Sequence, residues 1–282
     1  MYENIIVIGS GKIALESIKT ISKFFKKRKF FIYYEKDHFS LISRIAKKNK
    51  FKILETKNKK KIENFLSLFK KKTLIISSNN NYLFPKKIID MKNIKIINFH
   101  NGYLPLYKGR NAQVWSIFNM EKFGGFTWHY VSNKGIDTGP IIFRKKIRIF
   151  HNTRAIDLTK KCMEQGAKVF DILFTKIIND KIKTKKFKNK KIKKIYYSNQ
   201  LPNNGKLELK WKITKISSFL RSMDFKPLSY FKNQFFILNK KKYKIIKYKI
   251  LDTKINKVKK ILLKEQLIFQ SNYKKIIINY GK

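Results

Sequence analysis

An α/β fold is predicted for this chain: a Rossmann-like twisted, mainly parallel sheet with helices on both faces, followed by a smaller C-terminal β-containing module. Three features carry that expectation. Short apolar runs alternate with segments of helical length through Phe99, the pattern of βαβ units. A lysine-dominated stretch, Asn179–Lys194, then breaks the pattern. From about Leu207 a helical segment and several β-type runs resume it as a separate module. The expected division is a larger domain over residues 1–183, a basic linker over 184–204 and a small module over 205–282.

Ile5–Ile8 has the continuous apolar character of a strand buried on both faces, and Gly9-Ser10-Gly11 turns it into a helix reaching about Phe25. Phe30–Tyr34, Phe51–Leu54, Thr73–Ser77 and Ile94–Phe99 read as further strands. Ile42–Lys50, Ile62–Phe69 and Lys86–Met91 supply the intervening helical pieces. After Asn111 the order changes. Ala112–Asn119 reads as helical, and Gly125–Val131 with Ile141–Ile149 reads as a β-pair across the Asp137-Thr138-Gly139-Pro140 loop. Thr153 is the expected cap of a long helix towards Ile178, with Asp157 placing negative charge in its first turn. In the C-terminal module a helix is expected over Ile213–Met223, and β structure at Gln234–Leu238, Tyr243–Ile250 and Ile276–Tyr280.

With 282 residues, 43% hydrophobic and 15% aromatic, the chain can bury a core and is not of disordered composition. No apolar run approaches the roughly 20 residues of a membrane helix, and the first residues read as a strand rather than a signal peptide. Cys162 is the one cysteine, which excludes an internal disulfide framework and a thiolate metal cluster. A cytoplasmic location is the expectation. The formal charge of +50 suggests a polyanionic partner. Yet only seven of the 67 basic residues are arginine, the fork that reads phosphates and bases, and the lysines are spread along the chain with abundant Ile and Asn. Compositional drift accounts for that pattern, with RNA binding kept as the competing explanation.

The chemistry-bearing residues lie between Asn98 and Ile142. Asn98-Phe99-His100 is followed by Leu104-Pro105 and Gly109, then by Gly125-Phe126-Thr127-Trp128-His129, then by Asp137-Thr138-Gly139-Pro140-Ile141-Ile142. Residues two apart on a strand share a side, so Asn98 and His100 project together at the end of a parallel strand, where open α/β sheets place ligands. This ordered set resembles the formyltransferases that use 10-formyltetrahydrofolate, over roughly residues 1–180. The resemblance implies amine attack on a formyl carbonyl. An amide can donate to the oxygen that gains charge, and an imidazole biased by a carboxylate can handle the proton.

Carried over residue by residue, Asn98, His100 and Asp137 match the family's catalytic triplet. The segment Ser78–Phe84, with Asn80, Tyr82 and Leu83, and the loop Lys134–Gly139, with Gly135, Ile136 and Gly139, match the regions that hold the pterin, largely through backbone. His129, Leu104, Pro105 and Gly109 fall where supporting residues are expected, and no metal is implied. One departure stands out: the family usually has Ser in the loop after the histidine, whereas Gly102 stands there in this chain. A looser loop is the expected consequence. His38 and His151 have no evident partners in the sequence and read as surface residues.

A competing pattern is Gly9-x-Gly11-x-x-Ala14 after a strand, with Glu35 ending the next strand. This has the form of a dinucleotide fingerprint and would indicate an NAD-dependent oxidoreductase. It leaves Asn98, His100, Pro105 and Asp137 without a purpose, and the turn could instead meet an acceptor phosphate. Within the resemblance three acceptors are open: a nucleotide-linked amino sugar or carrier-bound aminoacyl group, initiator methionyl-tRNA, and glycinamide ribonucleotide. The Gly109-Arg110-Asn111-Ala112 and Leu220–Pro227 segments favour the first. Its partners would be a small-molecule or carrier-linked amine, with tRNA and a homodimer kept open and no membrane. Outside the class, an inactive RNA-binding module remains, suggested by Lys183–Lys194 followed by Tyr196-Tyr197.

Overall fold

The computed structural model describes residues 1–33, 39–185, 194–228, 230–231, 234–254 and 259–281. Glu35, His38 and much of the basic linker lie outside the described residues. Strand and helix alternate as β1 (Asn4–Gly9), α1 (Gly11–Phe24), β2 (Arg28–Tyr33), α2 (Phe39–Lys48), β3 (Lys52–Glu55), α3 (Lys59–Ser67), β4 (Thr73–Ser78), α4 (Lys86–Ile89) and β5 (Ile94–His100). There follow β6 (Lys108–Gly109), α5 (Ala112–Phe118), β7 (Phe123–Tyr130), β8 (Ile141–Arg148), α6 (Ala155–Ile178) and β9 (Ile195–Tyr196). The rest is β10 (Lys206–Leu207), α7 (Ile213–Ser222), β11 (Phe235–Leu238), β12 (Lys241–Asp252), β13 (Lys259–Leu263), β14 (Gln266–Gln270) and β15 (Lys274–Gly281).

Among the described residues the first sheet runs β3-β2-β1-β4-β5-β7-β8. Its first five strands pair in parallel, and β7 then joins β5 antiparallel. All six residues of β1 and of β4 are buried, as apolar runs covered on both faces must be. On one face Ile6, Ile8, Ile32, Ile75 and Ile96 pack with Ile62, Leu66 and Ile88. On the other, Trp128 stacks on Phe170 at 5.0 Å and contacts Phe99 at 5.1 Å, while its indole N–H donates to the Gly166 carbonyl at 2.9 Å. Gly166 is needed there: a Cβ would stand 2.2 Å from the Phe99 ring. Phe99 and Trp128 are thereby locked against the helix, and the residues alternating with them must face the opposite side.

The chain separates into two compact units, one of residues 1–109, 125–146 and 160–195, the other of 110–124, 147–159 and 196–282. In the second unit the described strands are ordered β10-β11-β12-β15-β14-β13. There α5 packs on α7 through Phe118, Trp211 and Phe219, with ring centroids 5.7–6.3 Å apart. The β13–β14 hairpin is absent from the sequence reading. Every residue of β13 is exposed, which erases the alternation that marks a strand, and its turn is made by Glu265 at φ 63° rather than by Gly or Asn.

Two other expectations are corrected. Thr153 does not cap α6: its hydroxyl accepts the Phe150 N–H at 2.9 Å, while Asp157 bonds back to the Arg154 N–H at 3.1 Å. His151 is exposed as expected but lies 3.6 Å from Asp252.

Candidate active site

The site is assembled at the C-terminal end of β5, within the first unit. Register decides its membership: Ser77 of β4 lies beside Asn98, and across the β5–β7 ladder Asn98 opposes His129 while His100 opposes Thr127. Because Phe99 and Trp128 point into the α6 contact, Asn98, His100, Thr127 and His129 share the other face. Asp137 arrives from the loop after β7. Its backbone is left-handed at φ 52°, and its side chain is only 9% exposed. Gly139 permits this approach, since a Cβ there would stand 1.8 Å from the Tyr130 carbonyl oxygen.

Asp137 Oδ2 lies 3.2 Å from His100 Nδ1 and accepts the Gly109 N–H at 2.7 Å; Oδ1 lies 3.4 Å from His129 Nε2. Burial pushes this carboxyl up, but His100, the His129 hydrogen bond and the Gly109 amide outweigh it and hold Asp137 well below the usual carboxylate range. His100 Nε2 faces the Tyr107 carbonyl at 3.0 Å. His129 Nδ1 faces the Tyr130 carbonyl at 2.8 Å, and its Nε2 is 3.2 Å from the Asn98 Nδ2. Asn98 is partly exposed, whereas both histidines are buried. The structure thus brings Asn98, His100, His129, Asp137 and Gly109 together.

The remaining expected residues divide by burial. Asn80 bonds to Ser77 and accepts the Tyr82 N–H at 2.7 Å. The Tyr82 ring is buried in the core against Phe84, so it is a packing group, while Leu83 beside it is 70% exposed. Gly135, at φ 126°, and Ile136 belong to the loop that delivers Asp137. Leu104 is wholly buried and holds the turn before Pro105 by packing.

The loop over Gly102 is not loose. The Thr127 hydroxyl donates to the Gly102 carbonyl at 2.8 Å and accepts the Leu104 N–H at 3.0 Å, and Arg144 donates to the Leu104 carbonyl. Thr127 and Ser77 are the residues that the sequence reading missed. Thr127 had a signal, being two residues before His129 on the same strand; Ser77 had none, because its partner is chosen by strand order.

The Gly9 turn has a steric explanation. At φ 155°, a Cβ on Gly9 would stand 1.9 Å from the Ser78 carbonyl oxygen, and Ser10 donates to the Asn79 carbonyl at 3.0 Å. The glycine serves strand packing, which accounts for it without a dinucleotide.

The family model for formyl transferase matches residues 18–172, more than half of the chain and all of the strands and loops that build this site. The chain belongs to the formyl transferase family. It is 25% identical to the methionyl-tRNA formyltransferase of Clostridium tetani over 235 residues, covering 80% of this chain and 75% of that one. It is also 25% identical to the GDP-perosamine N-formyltransferase of Brucella melitensis over 154 residues, 55% of this chain and 58% of the relative. The fold is that of the N-formyltransferase from Helicobacter canadensis solved with folinic acid and dTDP-3-aminofucose, with a TM-score of 0.77, 24% identity and all of both chains covered. The candidate residues Asn98, His100, His129 and Asp137 of this formyl transferase all lie inside the matched segment.

Proposed function

We propose that this formyl transferase moves a formyl group from 10-formyltetrahydrofolate to a primary amine carried on a nucleotide-linked sugar, or to a carrier-bound aminoacyl group. One observation carries the reading: an amide, an imidazole and a carboxylate, Asn98, His100 and Asp137, meet at one strand end. In the net step the amine nitrogen bonds to the formyl carbon, the bond from that carbon to the folate nitrogen breaks, and a proton passes from the amine to that nitrogen. Asn98 donates to the formyl oxygen as it gains charge. The His100–Asp137 pair takes the amine proton and returns it to the leaving nitrogen. His129 and the Gly109 amide hold Asp137 in place for that task.

The residues fit a pterin between the 78–84 segment and the 134–139 loop. Exposed Leu83 offers an apolar wall, and exposed Gly135 leaves loop backbone accessible. When bound, the folate would supply the activated formyl carbon. The sugar reading draws support from the Brucella GDP-perosamine N-formyltransferase and from the Helicobacter N-formyltransferase, which matches over the full length and was solved with folinic acid and dTDP-3-aminofucose. Methionyl-tRNA is the second reading, favoured by the longer alignment to the Clostridium enzyme.

The test is transfer from 10-formyltetrahydrofolate to dTDP-3-aminofucose, GDP-perosamine and methionyl-tRNA, read by mass spectrometry of the product. His100→Ala and Asp137→Ala should each lose several orders of magnitude in kcat with the fold retained; near-normal turnover in either would remove that residue from the mechanism.

A cytoplasmic location, a homodimer and the division at 1–183, 184–204 and 205–282 belong to the same proposal. Fractionation, light scattering and limited proteolysis test them. No helix among the described residues is long and apolar enough to cross a membrane.

A further inference from the structure

We propose that Ser77 is a positioning residue for formyl transfer: its hydroxyl holds the Asn98 amide with the NH2 end presented to the reacting oxygen. This rests on the formyl-transfer reading, in which Asn98 is the donor to that oxygen. The argument is one of hydrogen-bond polarity, anchored at a backbone group whose role cannot be exchanged.

At one end the Tyr82 N–H can only donate, and it meets the Asn80 side-chain oxygen at 2.7 Å. The NH2 of Asn80 therefore faces Ser77 Oγ, which must accept from it. Ser77 then has its own proton to place, and Asn98 Oδ1 is 2.7 Å away. At the other end His129 Nδ1 carries a proton towards the Tyr130 carbonyl at 2.8 Å, and its Nε2 stands 3.4 Å from Asp137 Oδ1 and 3.2 Å from Asn98 Nδ2. The chain of bonds from Tyr82 is satisfied only when the Asn98 oxygen points at Ser77, which places the amide nitrogen on the His129 side. Turning the amide over would set NH2 against a hydroxyl that already accepts from Asn80 and leave the Ser77 proton without an acceptor. The NH2 end of Asn98 is thereby presented to the ligand.

Ser77 is 2% exposed and sits directly beside Asn98 in the parallel register of β4 and β5. Water cannot take over a hydroxyl lost at that depth, so the Asn98 oxygen would lose its partner and the amide its fixed orientation. A donor is worth most where charge develops, so the effect belongs in kcat rather than KM.

The experiment measures kcat and KM with 10-formyltetrahydrofolate and dTDP-3-aminofucose for the wild type, Ser77→Ala, Ser77→Thr, Asn98→Ala and the Ser77→Ala/Asn98→Ala double variant. Removing one oxyanion donor costs about 100- to 1,000-fold; Ser77→Ala, which misorients the donor, should lose roughly 10- to 100-fold in kcat with KM within about twofold. Ser77→Thr should recover most of it, and the double variant should be no slower than Asn98→Ala. Wild-type kcat in Ser77→Ala, or a loss that multiplies that of Asn98→Ala, overturns the proposal. Should Ser77→Ala fail to fold, Ser77→Cys, a weak donor of similar size, takes its place.

A second readout does not depend on turnover. The Asn98 side-chain NH2 signals in a 1H–15N spectrum, identified by their loss in Asn98→Ala, should shift and lose exchange protection in Ser77→Ala; unchanged signals overturn the proposal. Absence of transfer in the wild type to dTDP-3-aminofucose, GDP-perosamine and methionyl-tRNA alike would instead defeat the formyl-transfer reading, and full kcat in Asn98→Ala would remove Asn98 from it, while the spectrum still reports on Ser77.

Discussion

Asp137 and His100 are joined through Nδ1 of the imidazole at 3.2 Å, while Nε2 of the same ring faces the Tyr107 carbonyl at 3.0 Å. A ring with an acceptor at each nitrogen can hold a second proton and surrender it at the carboxylate side. In the proposed reaction that pair stores the amine proton between attack and departure of the leaving group. The same contacts tie the loop of Asp137 to the end of β5, so the proposed proton storage and the local order both depend on one carboxylate.

Acid stability follows from that carboxylate. Asp137 has a folded value depressed below its ordinary 3.8. Asp180 is likewise held down at about 2, where burial pushes it up but hydrogen bonds from Lys72, Lys95 and Tyr2 prevail. For a depressed group the unfolded chain takes up protons first. The stabilisation is therefore complete above about pH 4 and is lost as pH falls towards the folded values. Asp137→Asn should flatten the fall in urea-unfolding free energy between about pH 4 and pH 2. An unaltered slope would show that Asp137 titrates normally in the folded protein.

Gly139→Ala tests the loop that delivers the carboxylate. The added Cβ would stand 1.8 Å from the Tyr130 oxygen, so backbone must move. Overpacking of this kind costs about 1–3 kcal/mol. A shift of roughly 1 Å at Asp137 should lower turnover about 100-fold. Denaturant melts and single-turnover rates check both figures; a variant with wild-type rates would mean the loop relaxes without moving Asp137.

Thr127→Val keeps the shape of the side chain and removes the hydroxyl. Two buried backbone groups, the Gly102 carbonyl and the Leu104 N–H, lose their partner. Each unsatisfied group costs about 1–3 kcal/mol. The variant should be measurably less stable in urea, with hydrogen exchange at the Leu104 amide accelerated. Exchange at the wild-type rate would show that the loop is held by other contacts.

The +50 charge predicts RNA binding that is weak, non-specific and lost steeply as salt rises. Formyl transfer to a nucleotide-linked amine should persist at that salt without tRNA. Competition between initiator and elongator methionyl-tRNA decides the acceptor; strong preference for the initiator would replace the sugar reading and leave the proposed roles at Asn98, His100 and Asp137 untouched.

Much of the fold was legible because the information is local. Apolar runs of strand length at β1, β2, β4 and β5 and the helical stretches between them appear within a residue or a few of their expected bounds. Pairing Asn98 with His100 needed only the two-residue period of a strand. His129 reads as a supporting residue only through the resemblance, since its identity as a neighbour of Asn98 depends on β7 docking antiparallel to β5. Thr153 misled because a hydroxyl near a helix start can serve the turn before it equally well.

By itself, then, the sequence determined the alternating elements, the side of β5 that carries Asn98 and His100, and the order of residues that marks the family. Strand order, register and the approach of the Asp137 loop were decided by tertiary structure. Those depend on contacts between distant segments: the Trp128–Phe170 stack that turns β7, the Gly139 fit beneath Tyr130, and the placement of β4 next to β5. Ser77 became part of the site through the last of these, because hydrogen bonds between neighbouring strands are written in no single stretch of chain.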